Sequence, residues 1–307
     1  MIDAENLTKK FGNLTAVDNL TLHVDEGEIF GLLGPNGAGK TTTVRMLCCL
    51  ISKTEGKASI AGYDVGNEAD ALKIRKLIGF VPDNVGLYEA LSANDNLDFY
   101  GKLYDVPDAK RKENIERVLK MLDLWEKKDV MVGTFSKGMK QKLALARALI
   151  HDPPVLFLDE PTANLDPEAS KTVRDFILEL KKQKRTIFLN THNLDEARRL
   201  CDKIGILNTS LRALGSPQEL ENNVGGRATV IQLEQLTDAV QEALRNLRLD
   251  MTIIENRVTI RLANPEKENS AILDAVFRAG GRVQSTAIVG STLEDAYLKL
   301  VRKEAIE

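Results

Sequence analysis

Apolar residues fall into short runs along this chain, and the character of the runs changes twice. Residues 2–7 and 20–24 read as strands, the second with Leu22 and Val24 at alternate positions. Residues 28–33 form a compact apolar strand that leads straight into a Gly-rich turn. Residues 41–51 follow as a helix despite three threonines, because packing overrides weak propensity. Residues 77–81 predict another short strand. From residue 92 to about 128 the pattern turns helical: Ile115, Val118, Leu119, Leu122 and Leu124 recur at helix spacing. Residues 155–158 are almost continuously apolar, as in the middle of a parallel sheet. A helix over 168–182 and a strand over 186–190 come next. This alternation predicts an α/β domain, with 92–128 as a helical insert between sheet strands.

Residues 222–226, NNVGG, read as a turn-rich linker. Beyond it the pattern predicts a strand (229–233), a helix (237–247) and a hairpin (251–254 and 258–262) turning near Glu255 and Asn256. A helix (267–279), a strand (282–289) and a closing helix (292–303) complete it. The order β-α-β-β-α-β is that of a ferredoxin-like α+β unit. The expected domains are residues 1–220, with a helical subdomain at about 84–140, and residues 227–307.

Composition narrows the class. Of 307 residues 43% are hydrophobic and 28% charged, ordinary for a soluble globular protein. Lys plus Arg number 42 against 45 Asp plus Glu, so the net charge of -3 gives no support for nucleic acid held by bulk electrostatics. Cys48 and Cys49 are adjacent, a poor arrangement for a disulfide, and with Cys201 they make no metal-ligand spacing. Reduced thiols in a cytoplasmic protein are expected. The opening MIDAENLTKK has its two acids near the start and lacks the apolar core of a signal peptide. The most apolar stretch, 143–150, is interrupted by Arg147, so a membrane role has to come through a partner.

The candidate chemistry begins with GPNGAGKT, which fits G-x-x-x-x-G-K-[ST]: Gly34, Pro35, Asn36, Gly37, Ala38, Gly39, Lys40 and Thr41, with Thr42 next. The glycines let successive N–H groups face one anion, and a helix starting at the end of the loop adds its positive terminus. Lys40 can reach the β- and γ-phosphates of a nucleotide as a point charge. The Thr41 hydroxyl suits Mg²⁺, a hard ion that prefers oxygen. The expected ligand is Mg-ATP. VLFLDEPT, residues 155–162, puts two acids at the end of a buried strand, where carboxylates are rare without a partner or a task. Asp159 would hold the metal through water, and Glu160 would polarise the water that attacks the γ-phosphate. His192 follows a third core strand on the same rim, the place where parallel sheets bind ligands, and would bond the γ-phosphate or that water. His23 and His151 lack such a context and read as structural.

These motifs, together with FSKGMKQKLALARALIHDPPVLFLDEPTANLD, resemble an ABC-type ATPase over residues 2–218. The resemblance implies a P-loop NTPase fold of ABC type and an ATP sandwiched between two copies arranged head to tail. It implies that Phe11 stacks on adenine. It further implies that Ser136 and Gly138, within Phe135–Ser136–Lys137–Gly138–Met139, touch the γ-phosphate of the other copy. Lys137 and Met139 stand where the family has Gly and Gln. Read from the residues alone, Ser136 is the N-cap of a helix over 140–150, and a capped helix pointing outward is itself an anion site. Asp166, in ANLD, is similar to the acid of the loop that couples two active sites. Asp83 stands where the family has a metal-ligating Gln; aspartate still offers oxygen, but it is shorter and charged. STLEDAYLKL, residues 291–300, is similar to the closing element of ATPases from drug and lipid exporters, whose membrane channel is a separate protein. The bottom-up reading of that segment is a helix packing Leu293, Tyr297 and Leu300 inward.

The implied function is the motor subunit of an exporter, a homodimer working with an integral membrane permease at the cytoplasmic face of the membrane. The groove near residues 85–91 would receive the permease. A soluble ABC ATPase acting on ribosomes or DNA would usually carry two ATPase domains or long coiled coils, and this chain has one phosphate loop and no sustained heptads. A small-molecule kinase is disfavoured by the Asp159–Glu160 pair and the Ser136 segment.

Overall fold

The computed structural model describes residues 1–224, 227–262, 265–290 and 292–302. The chain divides into two compact units at Ser216 and Pro217.

The first unit opens with a long hairpin, β1 (Ile2–Phe11) and β2 (Leu14–Val24), then β3 (Ile29–Leu33) and α1 (Lys40–Leu47). Next come β4 (Glu55–Ile60), β5 (Tyr63–Asp64), α2 (Glu68–Leu77) and β6 (Ile78–Val81). Three helices follow: α3 (Ala93–Leu103), α4 (Asp108–Met121) and α5 (Lys137–Ala148). The unit closes with β7 (Val155–Asp159), α6 (Pro167–Lys182), β8 (Thr186–Thr191), α7 (Leu194–Leu200), β9 (Lys203–Asn208) and β10 (Ser210–Gly215).

Two sheets result. One is antiparallel, in the order β2-β1-β4-β5; the other has the order β10-β9-β3-β8-β7-β6 and is parallel except for β10 at its edge. Every position of β3, β7 and β8 is buried, which explains the apolar stretches 29–33, 155–158 and 187–189 at their centres. Phe188 on β8 packs against Phe30 and Phe157 of its neighbours, with ring centroids 5.1 and 5.4 Å away in tilted arrangements. The insert forms α3 and α4, with Ile115, Val118 and Leu119 of α4 buried at the expected spacing. Arg111, also buried there, is satisfied by Asp98 at 2.6 Å and Asp108 at 2.7 Å.

The hairpin runs farther than the apolar pattern predicts. Its outer half carries Thr8, Lys9 and Lys10, and register shifts between Ala4 and Lys10 break the alternation that a sequence reading looks for. The helix after the phosphate loop stops at Leu47, short of residue 51, where Cys48 and the left-handed Cys49 (φ 55°) form a turn.

The second unit contains α8 (Pro217–Val224), β11 (Arg227–Leu233), α9 (Asp238–Asn246), β12 (Met251–Ile254), β13 (Arg257–Leu262), α10 (Pro265–Arg278), β14 (Val283–Val289) and α11 (Leu293–Arg302). The strand order β12-β13-β11-β14, all antiparallel, is the ferredoxin-like arrangement. Ile231, Val240, Leu244, Val258, Ile260, Ile272 and Val276 form its core. The linker expected at 222–226 is corrected: Asn222 and Val224 belong to α8, while residues 225–226 lie outside the described residues. Leu220 is buried and α8 packs on α11, and such packing outweighs the turn preference of two asparagines. In α11 Leu293 is buried and Tyr297 and Leu300 are half-buried. Among the described residues, no helix is long and apolar enough to cross a membrane.

Candidate active site

β8 lies between β3 and β7, and the ends of the three strands are level: Leu33 faces Thr191, and Asp159 faces Asn190. The segments leaving them therefore emerge side by side on one rim. After β3 the chain curls through residues 34–39 into α1. Gly39 sits at φ 99°, and a Cβ there would strike the Ala16 carbonyl, so only glycine fits. No side chain caps α1, which leaves its first N–H groups to face an anion.

Lys40 is buried, and its Nζ donates to the carbonyls of Gly34 at 2.7 Å and Pro35 at 3.2 Å. Burial lowers its pKa; the charges of Glu160 and Asp159 oppose that shift. The Thr41 hydroxyl donates to Asp159 Oδ2 at 3.0 Å, and Asn190 Nδ2 donates to Oδ1 at 3.2 Å, so the Asp159 carboxylate is held from two sides.

Glu160 takes the left-handed conformation, φ 51°, which turns its side chain off the strand line. Its N–H donates to Asn190 O at 2.9 Å. Its Oε1 lies 2.8 Å from Nδ1 of His192, whose ring is mostly exposed. A cleft of about 400 Å³ collects Phe11, Asn36, Gly37, Ala38, Gly39, Lys40, Thr41, Thr42, Asp83, Asp159 and Glu160, with Leu14 and Ala16 on the hairpin side. Phe11 is half exposed there, with Lys9 Nζ over its ring at 4.8 Å.

Other expected site residues lie elsewhere. Gly34 and Pro35 act as carbonyl partners of Lys40 rather than as walls of the cleft. His192 reaches the cleft only through Glu160. Ser136 caps α5, accepting from Met139 N at 3.2 Å, and Asp166 caps α6, accepting from Ala169 N at 2.8 Å. Gly138 stands where the starts of these helices meet, its Cβ position 3.0 Å from that of Ala169. None of these three lines the cleft.

Residues 17–163 match the family described as ABC transporter. The linearmycin resistance ATP-binding protein LnrL of Bacillus subtilis is 34% identical over 307 residues, spanning 98% of both chains. The chain belongs to the ATP-binding proteins of the ABC transporter family. The Nod factor export ATP-binding protein I of Cupriavidus metallidurans is likewise 34% identical, over 99% of this chain and 98% of its own. Among solved structures, a dimeric ATP-binding cassette in a post-hydrolysis state with ADP and Pi superposes with a TM-score of 0.65. It is 28% identical and covers 70% of this chain and 98% of its own. This ABC protein is thus an ATP-binding and ATP-hydrolysing subunit of a transporter.

The geometry of this ABC ATPase adds residues that its motifs do not announce. Asn190 is fully buried beside Asp159, and its Oδ1 has no partner among the described residues. A lone amide closing the apolar run of β8 was the available signal. Thr162 and Thr191 both donate to Glu196, and the distance of Thr162 along the chain leaves no local pattern to read.

Proposed function

We propose that two copies of this chain close head to tail over two ATP molecules and use their hydrolysis to drive a separate membrane permease in export. What supports this most strongly is the cleft walled by Lys40, Thr41, Asp159 and Glu160, in a chain that aligns over 99% of its length with a relative named for Nod factor export and over 98% with one named for linearmycin resistance. The first unit, residues 1–216, carries the ATPase, with the helical part at 84–140, and the second unit, from Pro217 on, is an accessory domain in place of the 1–220 and 227–307 division expected from sequence. The chain works at the cytoplasmic face of the membrane.

In this reading the N–H groups of residues 36–42 and Lys40 Nζ hold the phosphates, and Phe11 stacks on the adenine. Thr41, Asp159 and Asp83 offer only oxygen donors, a set suited to Mg²⁺. Asn190 Oδ1 beside Asp159, without a partner among the described residues, would accept a hydrogen bond from a water at this site. When bound, the ion neutralises charge on the β- and γ-phosphates. Thr41, Asp159 and Asp83 would hold the ion together with oxygens of the nucleotide, since Mg²⁺ is usually bound by one or two carboxylates plus substrate phosphates. Glu160 takes the proton of the attacking water as the phosphorus–oxygen bond to ADP breaks. His192, with Nδ1 on Glu160, keeps Nε2 for the γ-phosphate. Ser136 and Gly138 of the second copy close over that phosphate, and Asp166 links the two sites.

Glu160→Gln tests the base. ATP binding is expected to persist, turnover to fall by about 10²-fold or more, and an ATP-bound dimer to accumulate in size-exclusion chromatography. Wild-type hydrolysis in that variant would falsify the assignment.

A further inference from the structure

Glu196, in the first turn of α7, is 2% exposed. Both of its carboxylate oxygens are engaged. Thr162 donates to Oε1 at 2.7 Å, and Thr191 donates to Oε2 at 2.8 Å. The two hydroxyls come from different segments. Thr162 lies in the turn that follows Glu160, and Thr191 is the last residue of β8, next to His192. The arrangement is braced again from below. Asn193 N donates to Thr191 Oγ1 at 3.1 Å, and Glu196 N donates to Asn193 Oδ1 at 3.1 Å.

A carboxylate at this depth costs stability unless its oxygens find donors, and a well-packed apolar side chain would avoid that cost. Burial still pushes the Glu196 carboxyl above the usual glutamate range; the two threonine bonds oppose the shift, while the charge of Glu160 adds to it. The return for this position is therefore geometric. Glu160 is held in a sparsely populated backbone conformation, which persists only where its surroundings enforce it. Beside the bond from Glu160 N to Asn190 O and the contact with His192, the Glu196 clamp is a further tie across this gap.

We propose that Glu196 is a positioning residue for hydrolysis: its carboxylate clamps the turn carrying Glu160 to the strand end carrying His192. This rests on the roles given above to those two residues. Glu196 touches no substrate, so its loss acts through the placement of the base.

The test is steady-state ATPase kinetics and nucleotide binding for Glu196→Ala, Thr162→Val, Thr191→Val and the combination of all three. A displacement on the order of 1 Å costs about 10²-fold, so Glu196→Ala is expected to lower kcat by about 10–100-fold. KM and the ATP dissociation constant should stay within about twofold, since the phosphate loop is untouched. Each threonine variant should lower kcat less. In the triple variant they should add nothing to Glu196→Ala, because the clamp is already open. Glu196→Gln, which keeps one oxygen acceptor, should recover part of kcat. An unchanged kcat, or a loss that only tracks the fraction of unfolded protein, would overturn the proposal. If Glu196→Ala does not fold, Thr162→Val carries the test, and wild-type kcat in it overturns the clamp. The two ideas fail separately: normal turnover in Glu160→Gln removes the base, whereas a dead Glu160→Gln with a fully active Glu196→Ala removes only the clamp.

Discussion

Gly39 shows how much of this site depends on the backbone. Its φ of 99° and the Ala16 carbonyl behind it leave no room for a side chain. Gly39→Ala is expected to lower stability by about 1–3 kcal/mol and to weaken ATP binding by at least about tenfold, seen in urea denaturation and in titration with nucleotide. Wild-type values in both would contradict the role of this loop. The loop was legible because its spacing is set by one local task, wrapping an anion. Asp159 and Glu160 were legible because two acids end an otherwise apolar strand. Asn190 and Glu196 were not. Asp159, the partner of Asn190, lies 31 positions away, and of the two partners of Glu196 Thr162 lies 34 positions away and Thr191 five, a pairing that no local period records.

Between elements, the joint from the helical insert to the sheet carries a titratable group. His151 stacks on Tyr104 at the end of α3, with ring centroids 3.7 Å apart, and bonds the Ile78 carbonyl at the start of β6 at 3.0 Å. A carbonyl only accepts, so Nε2 carries the proton and Nδ1 is left bare, with no partner among the described residues. Burial lowers its pKa from 6.5 to about 4, with the Ile78 bond and Asp152 pulling upward and Arg185 downward. The unfolded chain therefore binds the extra proton first. The contribution is fully present above pH 6.5 and is lost as the pH falls towards 4, by on the order of 3 kcal/mol (2.5 units at 1.36 each). Urea midpoints should fall over that window, and His151→Phe, which keeps the ring stack, should flatten the fall. An equal slope in the variant would contradict this account. The buried parallel strands were legible from their composition, and α4 from its period. The outer half of β1 was not, because a solvent-facing hairpin with shifted register carries no apolar alternation. The run from 222 was misread because α8 is stabilised by α11, which lies far along the chain.

Across the whole molecule, the order of motifs was readable while their convergence was not. Parallel topology is what sets β8 between β3 and β7 and brings Lys40, Asp159 and His192 to one rim. Ser136, Gly138 and Asp166 stand outside the cleft of their own chain, the arrangement expected if a second copy completes each site. The central claim is that the cleft takes the triphosphate of ATP through Lys40 and the amides of α1. Titration calorimetry of Mg-ATP into the folded chain, beside Lys40→Ala, tests it most directly. The account predicts saturable binding, weakened about 10–100-fold in the variant, the equivalent of one charge-assisted hydrogen bond. No uptake of Mg-ATP, or equal affinity in both proteins, would contradict it.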